Sequence, residues 1–266
     1  MPVIGNRPEV SVEMVIFATD FSSCSVKAGV YARQIAESMN ASLLVAHAFL
    51  LSQAAEEVEL RNHAPSRQRI DLEALLEERT KALSSSKIHV KSTLVTGPPH
   101  EAIPSLAERY APALIVLGTH GAGRVVHELV GSSAEKILRS TRWPCLTVGP
   151  RAAQASSFSE PFRHVLFATD FTPAATRAAT FAITFSEVAG GSLDVLNVLP
   201  ESARKDPAEW AELEGRYTRA LDQLVPEHAR EFLSPHTYVE TGDAQDRILG
   251  HIRERHIDLL VLGIRK

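Results

Sequence analysis

The sequence predicts an α/β protein of two tandem doubly wound domains with mainly parallel sheets. Short, continuous apolar runs alternate along the chain with segments of helical period, as in sheets that helices cover on both faces. The chain also repeats itself, because VIFATDF (Val15 to Phe21) returns as VLFATDF (Val165 to Phe171). LIVLG (Leu114 to Gly118) likewise returns as LLVLG (Leu259 to Gly263). The length of 266 residues suits two such domains.

The first copy opens with a strand at 14–18, whose unbroken apolar run is typical of a strand buried on both faces. The next segment places Ala28 and Ala32 on one helical face, which predicts an amphipathic helix. A second strand follows at 43–48, where the chain is again mainly apolar. A polar stretch and a charged helix at 66–85 come after it.

The first copy then continues the same alternation. Apolar residues alternate through 88–94 and predict a third strand. The helix predicted at 100–110 carries Pro104 in its first turns, where proline is tolerated. A fourth strand is predicted at 114–117. Because crossovers between parallel strands are right-handed, these strands are expected to form one doubly wound sheet.

Only the first copy continues past its fourth strand, with a helix at 133–139 and a fifth strand at Pro144 to Val148. The last residue, Lys266, corresponds to Gly121 of the first copy, so the second copy is expected to lack the last helix and strand. The residues between the copies are small and polar, which is typical of a linker. The predicted organisation is a complete domain at 1–150, a linker at 151–162 and a truncated domain at 163–266.

Composition excludes several classes of protein. Twenty-eight Lys and Arg against 32 Asp and Glu give a net charge of -4, which argues against nucleic acid as a partner. Two cysteines, Cys24 and Cys145, cannot form a disulfide scaffold, and no Cys/His spacing suggests a metal site. The N-terminus has no secretory pattern, and apolar runs such as Leu43 to Leu51 are too short to cross a membrane. We therefore expect a soluble, cytoplasmic protein.

The glycine-rich segment after the fourth strand is the strongest functional signal. It leaves the carboxyl end of a parallel strand, where open α/β sheets bind ligands. Gly118, Gly121 and Gly131 would let the backbone approach phosphate oxygens and offer consecutive N–H groups to an anion. Neither the Walker A sequence nor the Rossmann glycine pattern is present. The alternative is that these glycines only end a strand, form a turn and cap a helix.

The residues after this segment predict a helix N-terminus. Ser132 followed by Glu135 fits a capping box. A helix starting there would direct unpaired N–H groups towards a phosphate, and the hydroxyls of Ser132 and Ser133 could donate to it as well.

Together, these patterns resemble the universal stress protein family. Its nucleotide-binding members carry G-x2-G-x9-G-[S/T] after the fourth strand, which Gly118, Gly121, Gly131 and Ser132 match without a gap. T-D-F follows the first strand of both copies, so the resemblance covers nearly the whole chain. It implies an adenine nucleotide α-hydrolase-like fold and an ATP-binding protein that is regulatory rather than strongly catalytic.

The resemblance also implies the site residues. Asp20, with Ala18 and Thr19 beside it, would lie at the adenine end, and Ala48 would contact adenine through its main chain. Asp170 and Val198 match the first contacts in the second copy, but Ile264, Arg265 and Lys266 stand where its phosphate loop would begin. One nucleotide site per chain is therefore expected, in the first copy. Ribose and phosphates would be held by Leu117, Gly118, His120, Gly121, Gly131, Ser132 and Ser133.

The expected ligand is ATP, or ADP or AMP, with Mg²⁺ accompanying the nucleotide. The sequence offers no clear general base and no metal–carboxylate pair, so no catalytic residue is predicted and any hydrolysis or autophosphorylation should be slow. One alternative is a nucleotide-free interaction scaffold. An adenylating or ATP-hydrolysing enzyme is disfavoured, because ATDFSS stands where related enzymes carry S-G-G-x-D-S.

Simpler roles stay open for several residues. Asp20 and Asp170 could be helix N-caps, and capping is favoured for Asp170 and for Ser22. His120 could donate to a phosphate or lie in an exposed turn. In the family, fifth strands pair across a two-fold axis, which implies a homodimer through Pro144 to Val148.

Overall fold

A computed structural model describes residues 10–119, 131–150, 152 and 162–264 of the chain. The described residues from 11 to 152 form one compact unit, here called the first unit. Those from 162 to 264 belong to a second compact unit.

The first unit is built on a five-stranded parallel sheet in the order β3-β2-β1-β4-β5. In the register, Ala18 at the end of β1 lies beside Ala46 of β2 and Leu117 of β4. The strands end close together at their carboxyl ends, so the loops that follow them share one edge of the sheet. The five strands are β1 (Met14–Ala18), β2 (Ser42–Phe49), β3 (Val90–Thr96), β4 (Ala113–Gly118) and β5 (Cys145–Val148).

Helices cover both faces of this sheet. Ile16 and Leu44 belong to an apolar cluster that includes residues of α4 and α5. Phe17, the next residue along β1, lies against Gly29 of α1 on the other face, because successive strand residues alternate. The helices are α1 (Ser23–Ser38), α2 (Gln53–Asn62), α3 (Arg67–Ala82), α4 (Pro99–Arg109) and α5 (Ser132–Ser140).

Helix α2 corrects the prediction of a plain polar stretch after the second strand. It begins at a capped end, where the Ser52 hydroxyl accepts a hydrogen bond from the Ala55 N–H at 3.2 Å. Ala55 is also its only buried residue. A helix without an apolar stripe leaves little periodic signal in a sequence, which is why this one was missed.

The second unit repeats this plan with a parallel sheet in the order β8-β7-β6-β9. Its four strands among residues 162–264, against five in the first sheet, and the alternating helices confirm the predicted fold class. A 3-10 helix at Glu201–Arg204 follows β7. The other elements are β6 (His164–Ala168), α6 (Pro173–Ala189), β7 (Ser192–Leu199), α7 (Pro207–Asp222), α8 (Glu227–Leu233), β8 (His236–Thr241), α9 (Ala244–Glu254) and β9 (Leu259–Leu262). In the described part of the chain, no helix has the length and apolarity needed to cross a membrane.

Candidate functional site

The strand order of the first unit creates a topological switch point between β1 and β4. The chain runs from β1 to β2 and β3 on one side, then crosses to β4 and β5 on the other. At such a point the loops leave in opposite directions and open a crevice at the carboxyl ends of the strands. The predicted residues Ala18, Ala48 and Gly118 are half-buried at this edge of the sheet.

The turn that follows β1, residues 19–22, is held by its own side chains. The Thr19 hydroxyl accepts a hydrogen bond from the Phe21 N–H at 3.0 Å, and Asp20 Oδ1 accepts one from the Ser22 N–H at 3.0 Å. Phe21 has a φ of 62°, in the left-handed region that phenylalanine rarely adopts. The turn is therefore a strained, well-bonded structure that presents the exposed Asp20 side chain at the crevice.

Neither aspartate is a helix N-cap. The N-cap of α1 is Ser22, as predicted for that residue, and its hydroxyl accepts from the Ser25 N–H at 3.2 Å. In the second unit the N-cap of α6 is Thr172, while Asp170 Oδ1 accepts from the Thr172 N–H at 3.0 Å. The capping role favoured for Asp170 is thus wrong, because the left-handed residue in each turn delays the helix by two positions.

Gly118 brings the end of β4 against the start of α1. A Cβ at this position would lie 3.1 Å from the carbonyl carbon of Cys24 and 3.1 Å from the Ser25 nitrogen. Thr119 then donates its N–H to the Val148 carbonyl at 3.0 Å, and the Gly131 N–H donates to the Thr119 carbonyl. This last hydrogen bond holds Thr119 and Gly131, at the two ends of the glycine-rich segment, close together at the end of β4. His120 and Gly121 lie outside the described residues.

Helix α5 begins immediately after Gly131, the donor of this hydrogen bond. Its N-cap is Gly131, which has no side-chain capping bond, so the predicted capping box at Ser132 is wrong. The helix begins one residue earlier than the box requires, and Glu135 instead pairs with Arg139 at 2.9 Å. Ser132 and Ser133 are exposed in the first turn. The first turn of a helix leaves backbone N–H groups without intrahelical partners, and such groups attract anions.

Two predicted residues can contribute only through their main chains. Leu117 is buried in the apolar cluster below the crevice. Thr19 is 5% exposed, and its hydroxyl lies 3.1 Å from the Ser25 hydroxyl. What the described residues offer a ligand is therefore the Asp20 carboxylate, a row of main-chain groups and the start of α5. The close approach of backbone at Gly118, the first turn of α5 and the exposed hydroxyls are features that suit a phosphate group.

His47 is a residue at this edge that the sequence-based prediction missed. Its Nδ1 lies 2.7 Å from the Thr19 carbonyl oxygen, and its ring is 4.5 Å from that of Phe21. A polar residue recurs at the corresponding position, Asn197, which was the available signal.

A charged cluster fastens the connection after β2. Glu59 accepts hydrogen bonds from Arg69 Nε at 3.0 Å and from the Ser66 hydroxyl at 2.8 Å. The hydrogen bonds from Arg69 first, and then those from Ser66, lower the pKa of Glu59 to about 2. Arg69 also lies over the Phe49 ring, 5.3 Å from its centre. This cluster joins α2 to α3 beside the carboxyl end of β2.

No group of His, Cys, Asp or Glu side chains within the described ranges is arranged to hold a metal ion.

Comparisons with known proteins agree with this architecture. The sequence model of the universal stress protein family matches residues 12–149 and again residues 161–266. The chain is 31% identical over 98 residues to the universal stress protein MJ0577 of Methanocaldococcus jannaschii, a match that spans 37% of this chain and 59% of that relative. The chain thus spans less than two thirds of that relative's length.

Solved structures resemble the whole chain. A universal stress protein from Archaeoglobus fulgidus has a TM-score of 0.66 at 20% identity, covering 93% of this chain and 85% of that one. A functionally unknown protein from Pseudomonas aeruginosa, PA1789, has a TM-score of 0.58 at 13% identity, covering 95% and 82%. At these identities the likeness supports the fold. With the two family matches, it follows that this chain belongs to the universal stress protein family.

Proposed function

We propose that the first unit binds ATP, ADP or AMP at the carboxyl end of its sheet, and that the protein is regulatory rather than strongly catalytic. One observation carries the proposal: the bond from the Gly131 N–H to the Thr119 carbonyl. It supports a phosphate site, because it holds both ends of the glycine-rich segment at the switch point, beside the N-terminus of α5.

The overall charge of the chain favours recognition of phosphate by the main chain. The chain has a net charge of -4, and the start of α5 offers N–H groups and the hydroxyls of Ser132 and Ser133. In the proposed arrangement Asp20 and the main chain at Ala48 contact the base, and Gly118 and Gly131 let the backbone approach the phosphates. His120 and Gly121 complete the proposed set.

Mg²⁺ is proposed to arrive with the nucleotide, because Mg²⁺ keeps several waters and takes most of its remaining ligands from phosphates in such sites. The described side chains supply no cluster of metal ligands. Any hydrolysis or autophosphorylation is proposed to be slow, because the sequence offers no clear general base.

The test combines nucleotide release with a binding measurement. The purified protein is denatured, any released nucleotide is identified, and ATP affinity is measured by calorimetry for the wild type and for the double variant Gly131→Val, Ser132→Val. Two bulky β-branched side chains at the start of α5 should weaken ATP binding by more than about tenfold, since they block close backbone approach and remove a hydroxyl. Arg139→Ser, at the far end of the same helix, is the control and should leave the affinity unchanged.

Failure of the wild type to retain or bind ATP at millimolar concentration would overturn the proposal in favour of the nucleotide-free scaffold. Release of a substrate joined to AMP, in place of a free nucleotide, would favour the adenylating enzyme.

We also propose that two chains pair through the strand at Pro144 to Val148. Strand β5 is the outermost strand of the first sheet and pairs only with β4 among the described strands. Such an edge leaves main-chain groups open for another strand. A monomer in sedimentation at micromolar concentration, with and without ATP, would contradict this pairing.

A further inference from the structure

The two units make the same hydrogen bond with two different side chains. In the first unit His47 Nδ1 lies 2.7 Å from the carbonyl oxygen of Thr19. In the second unit Asn197 Nδ2 donates to the carbonyl oxygen of Thr169, also at 2.7 Å. The two positions correspond in the repeat. The hydrogen bond is present in both units although the donor is an imidazole in one and an amide in the other. This indicates that the turn after the first strand needs a hydrogen bond to this carbonyl group.

His47 stands between the two residues proposed to contact the base. Along the chain it precedes Ala48, and through its hydrogen bond it holds Thr19, which precedes Asp20. A carbonyl oxygen only accepts hydrogen bonds, so Nδ1 carries the proton. Because strand residues alternate, the His47 side chain lies on the opposite face of the sheet from that of Ala48, and its ring packs against Phe21. The ring therefore supports the turn after β1 from the opposite face of the sheet to the Ala48 side chain.

We propose that His47 is a positioning residue of the nucleotide site. By donating to the Thr19 carbonyl, it fixes the turn that carries Asp20 at a set distance from the main chain of Ala48. The turn needs such an anchor, since Phe21 is held in the left-handed region. This inference rests on the proposed nucleotide function, and it adds that the donor hydrogen atom of His47, rather than its ring, determines the geometry of the base end.

The test uses the substitution that the second unit already contains. His47→Ala and His47→Phe both remove the donor, and His47→Phe keeps an aromatic ring against Phe21. Each should weaken ATP binding by about tenfold, the effect of losing a partly buried hydrogen bond that holds a site in place. His47→Asn restores the donor and should bind within about twofold of the wild type. Asn197→Ala, the matched control, removes the same bond in the second unit and should leave the affinity unchanged.

Amide hydrogen exchange at Phe21 and Ser22 is the second measurement, and it needs no ligand. Exchange there should accelerate in His47→Ala and His47→Phe and return to the wild-type rate in His47→Asn. If the wild type binds ATP and His47→Phe binds equally well, the inference is overturned while the proposed function stands. If the wild type binds no ATP, the proposed function fails and the role of His47 in nucleotide binding fails with it.

Discussion

The two units share the same arrangement of strands and helices, but one face of the sheet carries apolar side chains in the first unit and ionisable side chains in the second. In the first unit, Leu44 of β2 and Leu106 of α4 pack in an apolar cluster, with Val95 of β3 against it. In the second unit the corresponding positions carry ionisable side chains. They are Asp194, Glu240 and His251.

These ionisable residues form a connected network. Asp194 is 3% exposed, and its Oδ2 accepts a hydrogen bond from Arg255 Nε at 2.7 Å and lies 3.1 Å from His251 Nε2. The other ring nitrogen of His251 lies 3.3 Å from Glu240 Oε1. Tyr238 packs its ring 4.6 Å from that of His251, and burial together with the charge of Asp194 raises the pKa of its hydroxyl.

The same arrangement of strands and helices therefore accepts either apolar or ionisable side chains at these three positions. The three residues must, however, be all of one kind. The three apolar residues of the first unit stabilise each other by packing. In the second unit, the polar side chains of the network form hydrogen bonds with one another. A mixture of the two sets would leave a buried polar group without a partner. A single exchange should therefore cost more stability than the triple exchange.

The largest expected effect follows from breaking one set. His251→Leu removes a partner of the buried Asp194 carboxylate, which keeps Arg255 at 2.7 Å and His236 at 3.7 Å, and should lower the free energy of unfolding of the second unit by about 3 kcal/mol. The triple variant Asp194→Leu, Glu240→Val, His251→Leu installs the residues of the first unit and should come within about 1 kcal/mol of the wild type, or exceed it. Urea unfolding followed by the fluorescence of Trp210, with Trp143 changed to Phe, measures this unit alone.

The matched control is the reverse exchange in the first unit. Leu44→Asp buries a carboxylate among apolar residues and should cost more than about 4 kcal/mol, measured through Trp143 with Trp210 changed to Phe. Equal losses for the single and triple variants of the second unit would contradict the view that the network acts as a set.

A smaller effect is expected where the second strand begins, because the second unit is packed more tightly there. A Cβ at Gly191 would collide with the Arg163 carbonyl oxygen and lie 2.8 Å from that of Phe162. The first unit carries Ala41 at the corresponding position, 3% exposed. Gly191→Ala should therefore lower the free energy of unfolding by about 2 kcal/mol, through forced movement of backbone.

Ala41→Gly is the companion variant in the first unit. It should cost about 1 kcal/mol, since it adds chain entropy to the unfolded state but creates no clash. Both variants are measured by urea unfolding at the tryptophan of their own unit. If Gly191→Ala were as stable as the wild type, the two units would be equally spaced at this turn.

The repeat made most of the fold predictable, whereas the site was predictable only in part. The strand predicted at 14–18 matches β1, because an unbroken apolar run between polar residues has few other structures open to it. The capping box at Ser132 was wrong because Gly131 starts the helix through its backbone alone. The bond from His47 to Thr19 depends on the register of β1 and β2, which sequence spacing does not contain.

The smallest expected effect separates the connections that follow the second strand of each unit. In the first unit the Glu59 carboxylate holds Ser66 and Arg69, whereas in the second Arg204 lies 5.0 Å from the centre of the Trp210 ring. The second connection also contains a carboxylate, since Asp206 Oδ1 accepts a hydrogen bond from the Ala208 N–H at 2.7 Å as the N-cap of α7, but Glu59 pairs with an arginine of the next helix. The pKa of Glu59 is lowered from 4.5 to about 2, so the ionised form is the one that stabilises the folded state. Its contribution is complete above about pH 4.5 and is lost as the pH falls towards 2.

A carbon-detected titration of the Glu59 carboxyl group tests this difference. At pH 3.5 Glu59 should stay ionised in the wild type, whereas Arg69→Met should let it protonate near its ordinary pKa, because the first cause of the shift is removed. Arg204→Met is the control in the second unit and should leave the Glu59 titration unchanged. Amide exchange in α2, taken relative to its intrinsic rate, should rise between pH 4.5 and 3 in the wild type, because protonation of Glu59 removes its stabilising contribution. If exchange in α2 relative to its intrinsic rate did not change down to pH 3, Glu59 would not stabilise the first connection.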